Sequence, residues 1–135
     1  MGYRSEVHIA VPKRDEKKLD AIMNKHNFLQ KNEYGDTIFT KEDYKQKYVK
    51  YNDDNDLIDE RADYVIYRAY HLKWYEGYKE VDAVESFIRS KPYDCCNDED
   101  PFGRVMVCIG EDNAIHSDIG DYHDVFNINM IVELQ

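Results

Sequence analysis

The sequence predicts an α+β domain built in two layers, a mainly antiparallel sheet of about four strands with two main helices on one face. Three observations predict it. Two stretches, one running from Asp15 and one from Val81, carry apolar side chains at the i, i+3, i+4 spacing of a helix with one buried face. Others, near residues 3–11, 64–72, 103–110 and 126–134, alternate or run apolar between turn residues, as strands do. The segments follow one another without an internal repeat or a linker, so residues 1–135 read as a single domain.

In chain order, "YRSEVHIAV" sets Tyr3, Ser5, Val7, Ile9 and Val11 on one side and Arg4, Glu6 and His8 on the other. This is a half-buried strand, stopped by Pro12. Leu19, Ile22, Met23 and His26 then share a helix face, which Phe28 and Leu29 close against the core before "EYGD" turns the chain. Residues 41–62 read as an acidic surface insert. Thr40 followed by Asp43 resembles a helix N-cap, and Tyr44, Tyr48 and Tyr51 fall at i, i+4, i+7, which predicts a short helix over about 41–51. A strand through Tyr48 to Tyr51 is the competing reading. The following "DDNDLIDERAD", with few apolar residues to bury, is expected to be a surface loop.

"DYVIYRAYHLKWY" is dense in aromatic and β-branched residues and reads as a central strand with both faces partly covered. Tyr64, Tyr67, His71, Trp74 and Tyr78 also sit at helical spacing, so periodicity alone leaves both states open there. Val81, Val84, Phe87 and Ile88 define the second helix, which ends before Pro92. "GRVMVCIG" is an apolar strand between glycines, and "FNINMIVEL" alternates as a final one. The order strand, helix, short helix, strand, helix, strand, strand fits a ferredoxin-like sandwich.

Charge is the most informative bulk property. The formal net is −10; residues 1–50 carry 11 basic against 8 acidic side chains, so the remainder carries −13. Such a field repels nucleic acid and favours basic partners, so no direct nucleic-acid contact is expected. No apolar run reaches the length of a membrane span, and the N-terminus lacks a charged region followed by an apolar core. Met1-Gly2 does not make a myristoylation motif, because Glu6 stands where Ser or Thr belongs. Cys95, Cys96 and Cys108 are odd in number and two are adjacent, so reduced thiols in a cytosol are expected.

The opening "MGYRSEV", the central "KWYEGYKEVDAVESFI" and the later "CIGED" together resemble a group of small, largely uncharacterised proteins of tailed bacteriophages and prophages. The resemblance spans most of the chain through short motifs. It implies origin rather than mechanism: a phage accessory protein acting in the cytoplasm of a bacterial host cell. No catalytic residues come with it, and the insert before the aromatic strand departs from the pattern.

Four places could carry chemistry. Trp74 and Tyr75, beside Gly77, are either a recognition hot spot or a cap on the core where strand passes to helix, and the second reading is favoured. "GEDNAIHSDIGDYHD" gathers His116, His123, Glu111, Asp112, Asp118, Asp121 and Asp124, ligand types suited to a divalent metal but at no known ligand spacing; it reads as a polar connection between strands. "NDDNDLIDE" fails as a calcium loop, with Ile58 where Gly is required. Cys95 and Cys96, in acidic surroundings, make poor nucleophiles. No phosphate-binding loop or nucleophile elbow occurs, so no cofactor and no metal is expected.

These readings point to a non-enzymatic binder or inhibitor of a host protein (a defence complex, nuclease or polymerase) acting through an acidic, nucleic-acid-mimicking surface; a charged face that serves only solubility is the competing reading. The residues expected to carry it are Asp53, Asp54, Asp56, Asp59, Glu60, Asp98, Glu99 and Asp100, with Trp74 and Tyr75. A small enzyme or ligand-binding domain using His116 to Asp124 is the alternative. A self-associating structural protein, a homodimer pairing through its last strand or aromatic surface, is a third reading.

Overall fold

The computed structural model describes residues 4–75, 77–90, 103–112, 114–120 and 125. A strand β1 (Ser5–Pro12) ends at a proline, and a short 3-10 turn (Lys13–Asp15) leads into helix α1 (Glu16–Lys25). Two long strands follow, β2 (Thr40–Tyr51) and β3 (Leu57–Leu72), then helix α2 (Lys79–Arg89), β4 (Val105–Gly110) and β5 (Ile115–Ile119). The strands form one open sheet in the order β2-β3-β1-β4-β5, with every neighbouring pair antiparallel. The architecture is therefore α+β, with five strands rather than about four.

Both helices pack on the same face of the sheet. Leu19 and Met23 of α1, and Val81, Val84 and Ile88 of α2, share a core with Val7, Ile9 and Val11 of β1 and with Val65, Tyr67, Met106 and Cys108. The apolar faces anticipated for both helices are the faces that are buried. The opposite face of the sheet is also buried: Ala10, Ala62, Tyr64, Ile66, Val105, Val107 and Ile109 form a second cluster.

That second cluster corrects the reading of β1 as half buried. His8, expected on an outward polar side, is only 2% exposed. It lies edge-on to Tyr70 with ring centroids 5.9 Å apart, and its Nε2 is 3.3 Å from a Glu6 carboxylate oxygen. Burial pushes its pKa below the ordinary histidine value, because the cation would lose its hydration.

Three further expectations are corrected. Residues 41–51 are not helical; they belong to β2, paired residue for residue with β3 from Thr40↔Arg68 to Tyr51↔Leu57. The acidic stretch 53–63 is not one loop but a tight turn followed by the first residues of β3. The polar connection after Gly110 contains β5, which pairs with β4. The expected final strand at 126–134 and residues Cys95 and Cys96 lie outside the described residues.

One buried ion pair locks helices to sheet. Arg104 donates from Nε to Asp15 Oδ2 at 2.9 Å and from Nη2 to Asp15 Oδ1 at 3.1 Å. Its Nη1 donates to the Phe87 carbonyl at 2.6 Å and to Ser90 Oγ at 2.8 Å, while its guanidinium lies 4.0 Å above the Phe87 ring. A planar fork that meets a carboxylate with two bonds is what makes Arg the suitable cation here. Entry to α1, the end of α2 and the start of β4 are thus held at one point.

Candidate functional site

Two regions gather the residues anticipated from sequence. The first is an arm. β1 pairs with β3 only from Leu72 to Tyr64, where Pro12 ends it, so residues 57–63 of β3 and 45–51 of β2 run on as a ribbon with no described strand beside β3. At ~3.3 Å per residue this extends the hairpin by about 20 Å.

The tip of the arm is fixed by a side chain. Asn52 Oδ1 accepts from the backbone N–H groups of Asp54 and Asp56, each at 2.9 Å. Asn52 N donates to Asp56 O at 2.9 Å, and Asn55, in the left-handed region at φ 64°, donates to Asn52 O at 3.0 Å. "NEYGD" at 32–36 forms the same turn, with Asn32 Oδ1 accepting from Tyr34 and Asp36 and with Gly35 at φ 83°. Asn and Asp favour such turns because their side chains mimic a backbone acceptor.

Residues 51–60 carry five carboxylates and no basic side chain, whereas 41–50 carry four lysines. Asp53, Asp54, Asp56 and Asp59 are exposed. Neighbouring strand residues point to opposite faces, so Asp59 shares a face with Val49, and Glu60 lies on the other with Tyr48, 4.0 Å from Lys50. Beside Asp59 stand three apolar side chains left to water: Tyr51 (67% exposed), Leu57 (62%) and Val49 (59%). None of the three was anticipated as a site, Tyr51 being read only as part of a helix face; an apolar residue paired across a hairpin tip beyond the sheet is the signal, and it needs the register. Asp98, Glu99 and Asp100 lie outside the described residues. At the foot of the arm a cleft of about 300 Å³ is ringed by Lys13, Asp43, Lys45 and Asp63. Its charges are spent on each other: Lys13 bonds Asp43 at 2.7 Å and Lys45 bonds Asp63.

The second region is a groove at the opposite edge of the sheet. α1 sits toward β2, where Lys41 reaches Glu16 and Asp20. Between β5 and α2 opens a groove of about 630 Å³ lined by Asp82, Glu85, Ser86 and Arg89 of α2, Ser117 and His116 of β5, and Ser5, Cys108, Trp74 and Tyr75.

A β-bulge aims His116. Cys108 pairs with Ser117, but Ile109 pairs with Ile115, so one residue of β5 is inserted at His116. In regular alternation His116 would face away from Ser117; with the insertion both line the groove. Asp112 Oδ1, 2.9 Å from His116 Nε2, holds the ring. Asp118, paired with Val107, faces the other side of the sheet. His123, Asp121 and Asp124 lie outside the described residues, and among the described residues no group of three His, Cys, Asp or Glu is placed to hold a metal ion. Burial pushes the Cys108 thiol pKa up, so it serves as floor rather than nucleophile.

Trp74 and Tyr75 come apart in role. Trp74, 7% exposed, packs against Phe28 and Phe39 with ring centroids 6.1 and 5.9 Å away, so it belongs to the core, as the favoured reading had it. Its indole N–H is buried without an acceptor among the described residues. Tyr75 is half-buried and lies edge-on to Tyr78 at 5.4 Å. Comparison with protein-family models, curated proteins and solved structures finds no match for this chain. No helix among the described residues is long and apolar enough to cross a membrane.

Proposed function

We propose that this chain is a non-enzymatic binding protein that engages a protein partner with a basic surface through the tip of the β2–β3 arm. The observation that carries the reading is the joint display, on an ordered turn beyond the main sheet, of Asp53, Asp54, Asp56 and Asp59 beside exposed Tyr51, Leu57 and Val49. Clustered carboxylates steer a basic partner and raise the association rate, while apolar and aromatic anchors supply the affinity that charge alone does not. The sheet order β2-β3-β1-β4 with a helix after β1 and after β3 supports a ferredoxin-like scaffold, extended by β5.

The resemblance to phage accessory proteins supplies the setting: the cytoplasm of a bacterial host, with a defence complex, nuclease or polymerase as the class of target. Such targets present basic surfaces built for phosphate. The test is capture from host lysate at low and high salt with three baits, namely the native chain, the pair Asp53→Asn with Asp54→Asn, and the pair Tyr51→Ser with Leu57→Ser. A protein retained by the native chain, weakened by salt and lost with both double variants supports the reading. Equal retention by all three baits refutes it.

A further inference from the structure

The arm has two faces, and the one on the helix side is bare. Register puts Lys47 opposite Arg61, Val49 opposite Asp59 and Tyr51 opposite Leu57, and residues two apart on a strand share a face. Lys41, on this same face, reaches Glu16 and Asp20 of α1, but from Lys47 outward every one of these side chains is exposed. On the opposite face of the arm Gln46 and Ala62 are buried, and Tyr48 and Ile58 are half-buried.

Charge and apolarity are ordered along the bare face. Lys47 and Arg61 come first, then Val49, Tyr51 and Leu57 with Asp59 at their flank, then the acidic turn of Asp53, Asp54 and Asp56. The level nearer the sheet is neutral, because Lys45 bonds Asp63. Lys47 and Arg61 have no such compensation: they are like charges directly across the ribbon, which destabilises a strand pair, and neither joins an ion pair among the described residues. The turn carboxylates are equally uncompensated among the described residues.

An unpaired basic level and an unpaired acidic turn on either side of an apolar centre make the face complementary to itself. We infer that the arm self-associates, its bare face lying antiparallel on the same face of a second copy of this chain. A two-fold axis midway between the Val49–Asp59 and Tyr51–Leu57 pairs sets Val49 against Tyr51 of the other copy, and Lys47 and Arg61 of each against the other's acidic turn. The spacing fits, since Lys47 and Asp53 lie equally far from that axis, about 10 Å on either side at ~3.3 Å per residue. A ribbon two strands wide and about 26 Å long offers each copy roughly 300 Å², well under the ~800 Å² per partner of a stable complex, so the dimer is weak and reversible. One consequence rests on the proposed function of the arm: paired arms cover Tyr51, Leu57 and the turn, so self-association regulates access of any other partner to the tip.

Sedimentation equilibrium on the full chain from about 10 µM to about 1 mM, the range in which so small an interface associates, is expected to show the average mass rising toward that of a dimer. Asp53→Lys with Asp54→Lys makes the face basic at both ends and is expected to weaken self-association about tenfold or more, although it lowers the net negative charge and with it the general repulsion between copies. Lys47→Glu with Arg61→Glu makes the face acidic at both ends, with the same loss. All the altered positions are exposed, and the turn at 32–36 closes with Glu33 and Tyr34 in the places of Asp53 and Asp54, so the fold is kept. Mixed in equal amounts, the two double variants match at both contacts, and the mixture is expected to dimerise where neither does alone. A native chain that stays monomeric throughout, undiminished association of either double variant, or a mixture that stays monomeric overturns the assignment. Lys47→Glu with Arg61→Glu leaves the tip intact, so a host protein captured by the native chain is captured by this bait as well; failure of that capture for every bait leaves the sedimentation outcomes untouched.

Discussion

The arm and the groove lie at opposite edges of one sheet and are built on opposite principles. In the arm, backbone pairing does the holding: β2 and β3 match over twelve residue pairs, and the side chains at the tip are left to water. In the groove, side-chain packing does the holding, since Trp74 sits among Phe28 and Phe39 and the α2 wall is anchored through Phe87 and Ser90 to Arg104. The contrast teaches where substitutions separate binding from folding. A residue at the arm tip can be altered with the fold intact, whereas Trp74, at the inner end of the groove, shares its atoms with the core.

The largest effect should come from Arg104→Ala, which leaves Asp15 buried and uncompensated; a loss of about 3–5 kcal/mol in urea unfolding is expected. A loss below about 1 kcal/mol would mean that the α2 wall is held by something else. Trp74→Ala should cost about 3–5 kcal/mol by the same measurement, as large aromatic truncations in cores do. Tyr51→Ala, an equally drastic truncation at the arm tip, should stay within about 0.5 kcal/mol. Equal costs for the two would erase the distinction between the regions. Gly120→Ala should cost about 1–3 kcal/mol, because φ is 73° and the new Cβ would meet the Arg104 carbonyl oxygen at 2.9 Å.

The smallest effects concern titration and the turn. His8 is buried with a lowered pKa, so between its folded value and the unfolded 6.5 the unfolded chain binds more protons. Stability is therefore fully present above pH 6.5 and falls as pH drops below it. His8→Gln should flatten that slope in denaturation curves taken between pH 5 and pH 8. Asn52→Ala, which removes two turn hydrogen bonds, should cost about 1 kcal/mol and blur the tip.

Both helix faces and the strands around Val7, Ile66 and Val107 were legible in the sequence, because buried elements write their periods in apolar residues. β2 was not. Residues 40–45 are all exposed, so the first half of this edge strand shows no alternation, and the four-residue step from Tyr44 to Tyr48 keeps side chains together on a strand as well as on a helix. β5, "IHSDI", is short, polar and mostly exposed, which is how an edge resists unwanted pairing and also how it hides. His8 reads as surface by type and is buried only because the second face of the sheet is covered. The groove was legible only in its parts: Trp74, Tyr75 and His116 stand out as residues, but the bulge that turns His116 toward the others exists only in the register.

The two matched reversals at 32–36 and 52–56 amount to a natural control. Asn and Asp open and close both, and a left-handed residue stands fourth in each; the second and third places hold Glu33 and Tyr34 in one and Asp53 and Asp54 in the other. Since the same loop closes with a tyrosine in third place, its geometry makes no demand for acid there. The acid at Asp54 is therefore not needed to close the turn, and its charge stands in water at the tip of the arm.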